Sequence, residues 1–282
     1  MSVVRSTLNF ATAQLIRALP RERISHLMGR LADVAWSPSV GERVVDLYCK
    51  AYDVELADCA QTSGFGSFDA FFTRPLREGA RPIQKGSSTV ACPSDGRLES
   101  AGKIDESSTF VVKGRAYRVE ELVGDAGDAR RYVGGAGCVV YLSPRDYHRV
   151  HSPVDGVVRV VRSLPGDYFP VNDLGVRHVK NLLARNRRVA IAIDTPGLGR
   201  VTVVMVAAMV VGRITVSGIE ARDVPFGEHL PDLAVEKGTE IGVFHLGSTV
   251  VLLLEGRAFD TFVMKEGPAR MGDLLARVRG LG

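Results

Sequence analysis

From residue 89 onward the chain is a succession of short apolar runs. Segments 109–112, 138–142, 156–161, 189–193, 201–211 and 249–254 are dense in Val, Ile or Leu and bounded by Gly, Pro or Asp. Short β-branched runs with such punctuation pair as strands. None approaches the roughly 18–20 apolar residues that a membrane-spanning helix requires. The longest, 201–211, is β-branched and interrupted by Thr202. The pattern predicts a mixed, mainly antiparallel β domain.

The first 60 residues have a different period. Ile24, Leu27, Met28, Leu31 and Ala35 recur at helical spacing, and Pro20 stands where a helix can begin. Upstream, Leu8, Ala11, Leu15 and Leu19 make a second stripe. Over residues 1–35 five arginines (Arg5, Arg17, Arg21, Arg23, Arg30) face two acids, Glu22 and Asp33. A basic amphipathic segment suits a membrane interface, and equally a stripe of this kind packs on a protein's own core. Segment 174–187 and the last ten residues also read as helical. The fold class expected is α+β, with a helical N-terminal part over 1–65 and a β-rich domain over 66–282.

Composition narrows the partners. A net charge of +4 is too mild to argue for nucleic acid and is compatible with an anionic membrane. The four cysteines (Cys49, Cys59, Cys92, Cys138) lack CxxC spacing, so neither a disulfide scaffold nor a zinc ribbon is suggested, and a reducing compartment is expected. The N-terminal apolar stretch is broken by Asn9, Thr12 and Gln14, unlike a secretory signal.

Three islands carry chemistry. Asp95 lies in the turn Pro93-Ser94-Asp95-Gly96. His148 and His151 lie in the segment Tyr141-Leu142-Ser143-Pro144-Arg145-Asp146-Tyr147-His148-Arg149-Val150-His151-Ser152-Pro153. Ser248 lies in Leu246-Gly247-Ser248-Thr249-Val250. Taken singly, each is an ordinary turn, and HxxH without a third ligand argues against a metal. Together, a carboxylate, an imidazole and a hydroxyl are the parts of an activated serine. The G-x-S-x-G elbow of α/β-hydrolases is absent, because Thr249-Val250 follows Ser248.

The chain closely resembles the bacterial phosphatidylserine decarboxylase proenzymes. The resemblance runs from Phe71-Phe72-Thr73-Arg74-Pro75-Leu76 and Ala80-Arg81-Pro82-Ile83 through the islands above and Asn181-Leu182-Leu183-Ala184-Arg185-Asn186 to Lys237-Gly238 and the LGST sequence. It departs from the family at Tyr168-Phe169-Pro170-Val171-Asn172, at Arg187, where the family has an acid, and at Ser152, where methionine is common.

The resemblance implies self-processing. Ser248 would attack the carbonyl of Gly247, with His151 as base and Asp95 as orienter, and the ester would eliminate to leave fragments 1–247 and 248–282. Ser248 would become a covalent pyruvoyl group, which forms a Schiff base with the substrate amine and acts as electron sink. His148 would protonate the decarboxylated carbon. Glycine at 247 is expected to accommodate strained backbone. Phosphatidylserine, an anionic membrane surface met by the N-terminal helices and fragments that stay associated are the partners implied, with a homodimer compatible. The implied location is peripheral, on the cytoplasmic side of the cell membrane. Alternatives are a pyruvoyl decarboxylase of another amine and a noncatalytic lipid-binding module.

Overall fold

The apolar runs are strands, and their burial explains why they read as continuous rather than alternating. The computed structural model describes residues 20–171, 175, 178–210, 212–256 and 259–279. Strand Ser248–Leu254 is buried at all seven positions and lies antiparallel between Ala136–Leu142 and Gly199–Ala207 in unbroken register. Successive side chains on a strand point to opposite faces. Val250, Leu252 and Leu254 accordingly enter one apolar cluster, and Val251 and Leu253 enter another. A strand covered on both faces has no use for a polar alternate.

Nine strands make this central sheet, in the order 227–229, 156–164, 188–195, 199–207, 248–254, 136–142, 96–103 and 267–269, with 233–235 also on 156–164. Every pairing within it is antiparallel. One face is covered by two three-stranded sheets, 213–216/240–245/149–151 and 89–91/274–278/259–262. They contribute Ile214, Phe244, Val150 and Leu275 to the same cluster. The other face is covered by the hairpin 109–112/115–118 and the helices Val119–Val123 and Ala126–Arg131, which bring Phe110, Tyr117 and Leu122.

Three helices precede the sheets: α1 (Arg21–Ala32), α2 (Pro38–Tyr52) and α3 (Phe68–Phe72). Phe65, Phe68 and Phe71 pack edge-on against Trp36, Tyr48 and one another, so the helical layer continues past residue 65 to α3. α1 meets the sheets through its small residues. A Cβ on Gly29 would stand 2.8 Å from the Gly212 Cα, Ser25 Oγ accepts the Val210 N–H, and Asp33 takes both arms of Arg213 at 2.6 and 2.8 Å. The helix thus buries Ser25, Gly29 and Ala32, while Leu27 and Leu31 of the apolar stripe remain 56% and 53% exposed. Ala35 lies beyond the helix end. The upstream stripe, with Arg5 and Arg17, lies outside the described residues. Among the described residues, no helix is long and apolar enough to cross a membrane.

Three local expectations are revised. The chain end, read as helix from its Leu, Ala and Arg content, forms strand Leu274–Val278 between Thr89–Ala91 and Phe259–Phe262. Long-range pairing overrides a modest local preference. The helix expected over 174–187 is met in part: Gly175, His178 and Leu182–Arg185 are helical, positions 174, 176 and 177 lie outside the described residues, and the chain bridges to Asp167 at Asn186 and enters a strand at Arg188. The strand expected over 201–211 ends at Ala207, and Val210 turns to φ +68°.

Candidate active site

Strand Glu240–His245 reaches strand Ser248–Leu254 through only two residues, Leu246 and Gly247. So short a connection between strands of different sheets must turn sharply. Leu246 carries the turn at φ +86° and buries its side chain with Ala32 and Phe72. A non-glycine residue held there costs on the order of 1–3 kcal/mol. The strain expected at Gly247 therefore sits one residue upstream. A Cβ at Gly247 would meet nothing within 4 Å, so glycine is not required there to avoid a clash. Ser248 is 1% exposed, and its Oγ has no hydrogen-bond partner.

His148 lies just before strand Arg149–His151, fully buried beneath the Phe72 ring at 4.1 Å between centroids. Its Nδ1 is 2.7 Å from the Asp146 carbonyl oxygen. A carbonyl can only accept, so Nδ1 carries the proton and the neutral ring presents a lone pair at Nε2. That atom has no partner. Burial pushes the imidazole pKa down to about 3, against the pull of the Asp146 carbonyl, with Arg74 adding to the depression. His148 is neutral at physiological pH.

His151 is differently engaged. Nδ1 donates to the Gly238 carbonyl at 2.8 Å, and Nε2 accepts from the Tyr147 hydroxyl at 2.9 Å. Burial lowers its pKa also. Asp95 precedes Gly96, whose φ of +148° and approach to the Tyr141 carbonyl, 2.3 Å from where a Cβ would be, admit only glycine. The Asp95 carboxylate is forked by Arg81, with Nη2 at 2.6 Å, and accepts the Met271 N–H at 2.8 Å. Arg81 is itself shared with Asp58 at 2.6 Å.

Two cavities flank the segment 143–147. One, of about 620 Å³, is lined by Ser248, Gly247, Leu246, Leu142, Phe72 and the rim residues Met28, Leu31, Tyr48 and Tyr52. The other, of about 360 Å³, is lined by Asp95, Arg81, Arg74, Asp146 and Tyr147. The Pro144 and Arg145 carbonyls, held by Tyr48 Oη and Arg74 Nη2, fix the partition. Ser248 thus opens on the apolar cavity and Asp95 on the polar one. Among the described residues no hydrogen bond joins Asp95 to His151 or His151 to Ser248; their interaction is electrostatic at most, the Asp95 charge favouring the protonated ring. Asp95, His148 and His151 nevertheless belong to one shell, since the His151 N–H bonds the Pro93 carbonyl and the His148 carbonyl takes the Phe244 N–H, two residues before Leu246.

Sequence reading did not single out Arg81 or Tyr147. Each sits inside a segment quoted for the resemblance, and only their spatial partners reveal their engagement. Asp69, which hydrogen-bonds His245, carried no signal at all.

The site thus combines a buried, unpartnered serine at a strained strand junction with two buried histidines whose pKa values are lowered, the parts of an enzyme active centre. The chain matches the family model "Phosphatidylserine decarboxylase" over residues 68–277 and belongs to that family. It is similar to the phosphatidylserine decarboxylase proenzymes of Anaeromyxobacter sp. (strain K), 38% identical over 85% of this chain and 88% of the relative, and of Shewanella sp. (strain MR-4), 36% identical over 93% and 94%. That of Bordetella pertussis (strain Tohama I) is 36% identical over 91% of each chain.

Proposed function

We propose that this chain is a decarboxylase of phosphatidylserine that matures by cleaving itself between Gly247 and Ser248. The observation that carries the reading is the Ser248 hydroxyl: buried, without a partner, and directly after the left-handed Leu246 and a glycine. Ser248 Oγ adds to the Gly247 carbonyl carbon, the C–N bond breaks, and the Ser248 nitrogen leaves as an amine. Loss of the Ser248 Cα proton then expels the Gly247 carboxylate, and water releases ammonia from the resulting dehydroalanine. The ketone so made supplies an electron sink for the carbanion left when CO₂ departs. Fragments 1–247 and 248–282 should stay associated, because strand Ser248–Leu254 lies mid-sheet with all seven residues buried.

In this reading Ser248 is the nucleophile, His151 its base and Asp95 the orienter, which requires His151 to exchange the Tyr147 hydroxyl for Ser248. A second reading gives the base role to His148, and it is favoured by two buried atoms lacking partners, His148 Nε2 and Ser248 Oγ. For decarboxylation, His148 enters neutral. Its Nε2 must first accept a proton, as from the substrate ammonium, before donating one to the decarboxylated carbon.

The substrate would stay in a bilayer, with this chain docking peripherally at its cytoplasmic face. The exposed Leu27, Met28 and Leu31 of α1 support that reading, and Met28 and Leu31 also rim the Ser248 cavity. An acyl chain could then pass from membrane to cavity without crossing water. Mass spectrometry of the purified protein tests the proposal: two fragments meeting at 247/248 are expected, whereas an intact 30.5 kDa chain would favour the noncatalytic lipid-binding module.

A further inference from the structure

The two residues that precede Gly247, His245 and Leu246, are both gripped by the helical layer. The His245 carbonyl accepts the Gly212 N–H at 2.9 Å. Its ring Nδ1 is 2.7 Å from Asp69 Oδ1 on α3, and Nε2 is 3.2 Å from Thr215 Oγ1. Asp69 is in turn held by Arg213 at 2.8 Å, and Arg213 forks Asp33 at the end of α1. The next residue, Leu246, is buried against Ala32 of α1 and Phe72 of α3. On the other side of the junction, Ser248 is fixed in register opposite Leu142 and Ala207.

A left-handed residue persists only where its surroundings prevent relaxation. Without the His245 anchor, the end of strand Glu240–His245 could withdraw and let Leu246 revert to ordinary backbone. Gly247 would then move away from Ser248. The carboxylate acceptor requires a proton on Nδ1, and a hydroxyl partner suits Nε2 in either state, so the anchor holds whether the ring is charged or neutral.

We infer that His245, through Asp69, is a positioning residue for self-cleavage, clamping the strained junction so that the Gly247 carbonyl faces Ser248. The inference rests on the reading that Ser248 attacks Gly247. The step it accelerates is the acyl shift: Ser248 Oγ bonds to the Gly247 carbon and gives its proton to the base. The peptide C–N bond breaks, and the nitrogen takes up a proton. No oxidant or further reactant is needed.

The test is cell-free translation of the full chain, sampled over time on denaturing gels with and without hydroxylamine, which cleaves an accumulated ester to a Gly247 hydroxamate. An Asn amide lies near the place of Nδ1 and keeps the bond to Asp69; a Gln amide lies near Nε2 and does not. His245→Leu and His245→Gln should slow fragment appearance about tenfold or more with no hydroxylamine-sensitive ester accumulating, whereas His245→Asn should stay within about threefold of the unaltered chain. Thermal melts in a Ser248→Ala background check folding, and should His245→Leu not fold, the Asn and Gln pair decides. Equal rates for Gln and Asn, or an unslowed His245→Leu, would overturn the inference. Cleavage in Ser248→Ala, or none in the unaltered chain, would instead overturn the self-cleavage reading.

Discussion

The two cavities on either side of segment 143–147 are built for different contents. The one at Ser248 is walled by the apolar and aromatic side chains Phe72, Tyr48, Leu142, Met28 and Leu31. The one at Asp95 is walled by Arg74, Arg81, Asp146 and Asp95, whose charges are already paired in part with one another. The difference teaches that chemical parts grouped by motif are distributed by the fold. The serine belongs to the apolar side, the carboxylate to the polar side, and each histidine is committed differently: His151 has both nitrogens bonded, while His148 keeps one lone pair free.

Four experiments break or sharpen that contrast. Ser248→Ala removes the nucleophile of the apolar side and should abolish self-cleavage altogether, leaving a full-length band on a denaturing gel. The histidines come next. With His151 as base, His151→Ala should accumulate uncut chain, and His148→Ala should process yet decarboxylate more slowly by the 10²- to 10⁴-fold typical of a lost general acid or base, measured as CO₂ release. Uncut His148→Ala beside cut His151→Ala would move the base role to His148.

The rim of the apolar cavity gives a third test. Leu27 and Leu31 are more than half exposed, so changing both to Asp should leave folding and self-cleavage intact. If they enter a bilayer, each contributes up to about 1.5–3 kcal/mol, and affinity for anionic liposomes should fall by up to about a hundredfold or more by sedimentation. Raising salt on the unaltered protein should only weaken binding, since it screens the arginines and not the leucines. Retained binding would place the membrane contact elsewhere.

The smallest effect concerns pH. His148 is held neutral down to about pH 3, against about 6.5 when unfolded, so the unfolded chain binds more protons between those values. Stability should be full above about pH 6.5 and fall as pH drops toward 3. At pH 5 this group alone accounts for about 2 kcal/mol, or about 4–8 °C in Tm, measured on uncut Ser248→Ala protein. Adding His148→Gln should remove that part of the loss and leave the part due to His151, whose pKa is lowered in the same direction. An unchanged pH slope would mean that His148 is reached by water.

The candidate site residues could be named from the chain because they lie in short contiguous segments. Asp95 beside Gly96, the two histidines three apart and Ser248 before an apolar strand each have a local signature, and the antiparallel strands announced themselves by composition. The helix expected at the C-terminus failed because Leu274, Leu275 and Ala276 suit a helix locally, and only the partners Thr89–Ala91 and Phe259–Phe262 make them a strand. The α1 stripe failed to say which way it faces for a related reason: the helix docks through Gly29 against Gly212, a contact between residues without side chains.

The sequence by itself determined which chemical groups are present and which runs pair as strands, since side-chain identity and apolar period are properties of neighbours along the chain. Only the tertiary structure decided that the strain sits at Leu246, that Arg81 holds Asp95, that Tyr147 occupies His151 and that His148 stays neutral. Those depend on burial and hydrogen bonding that only the packing of whole sheets and helices sets, so that even the near neighbours Tyr147 and His151 do not announce their contact along the chain.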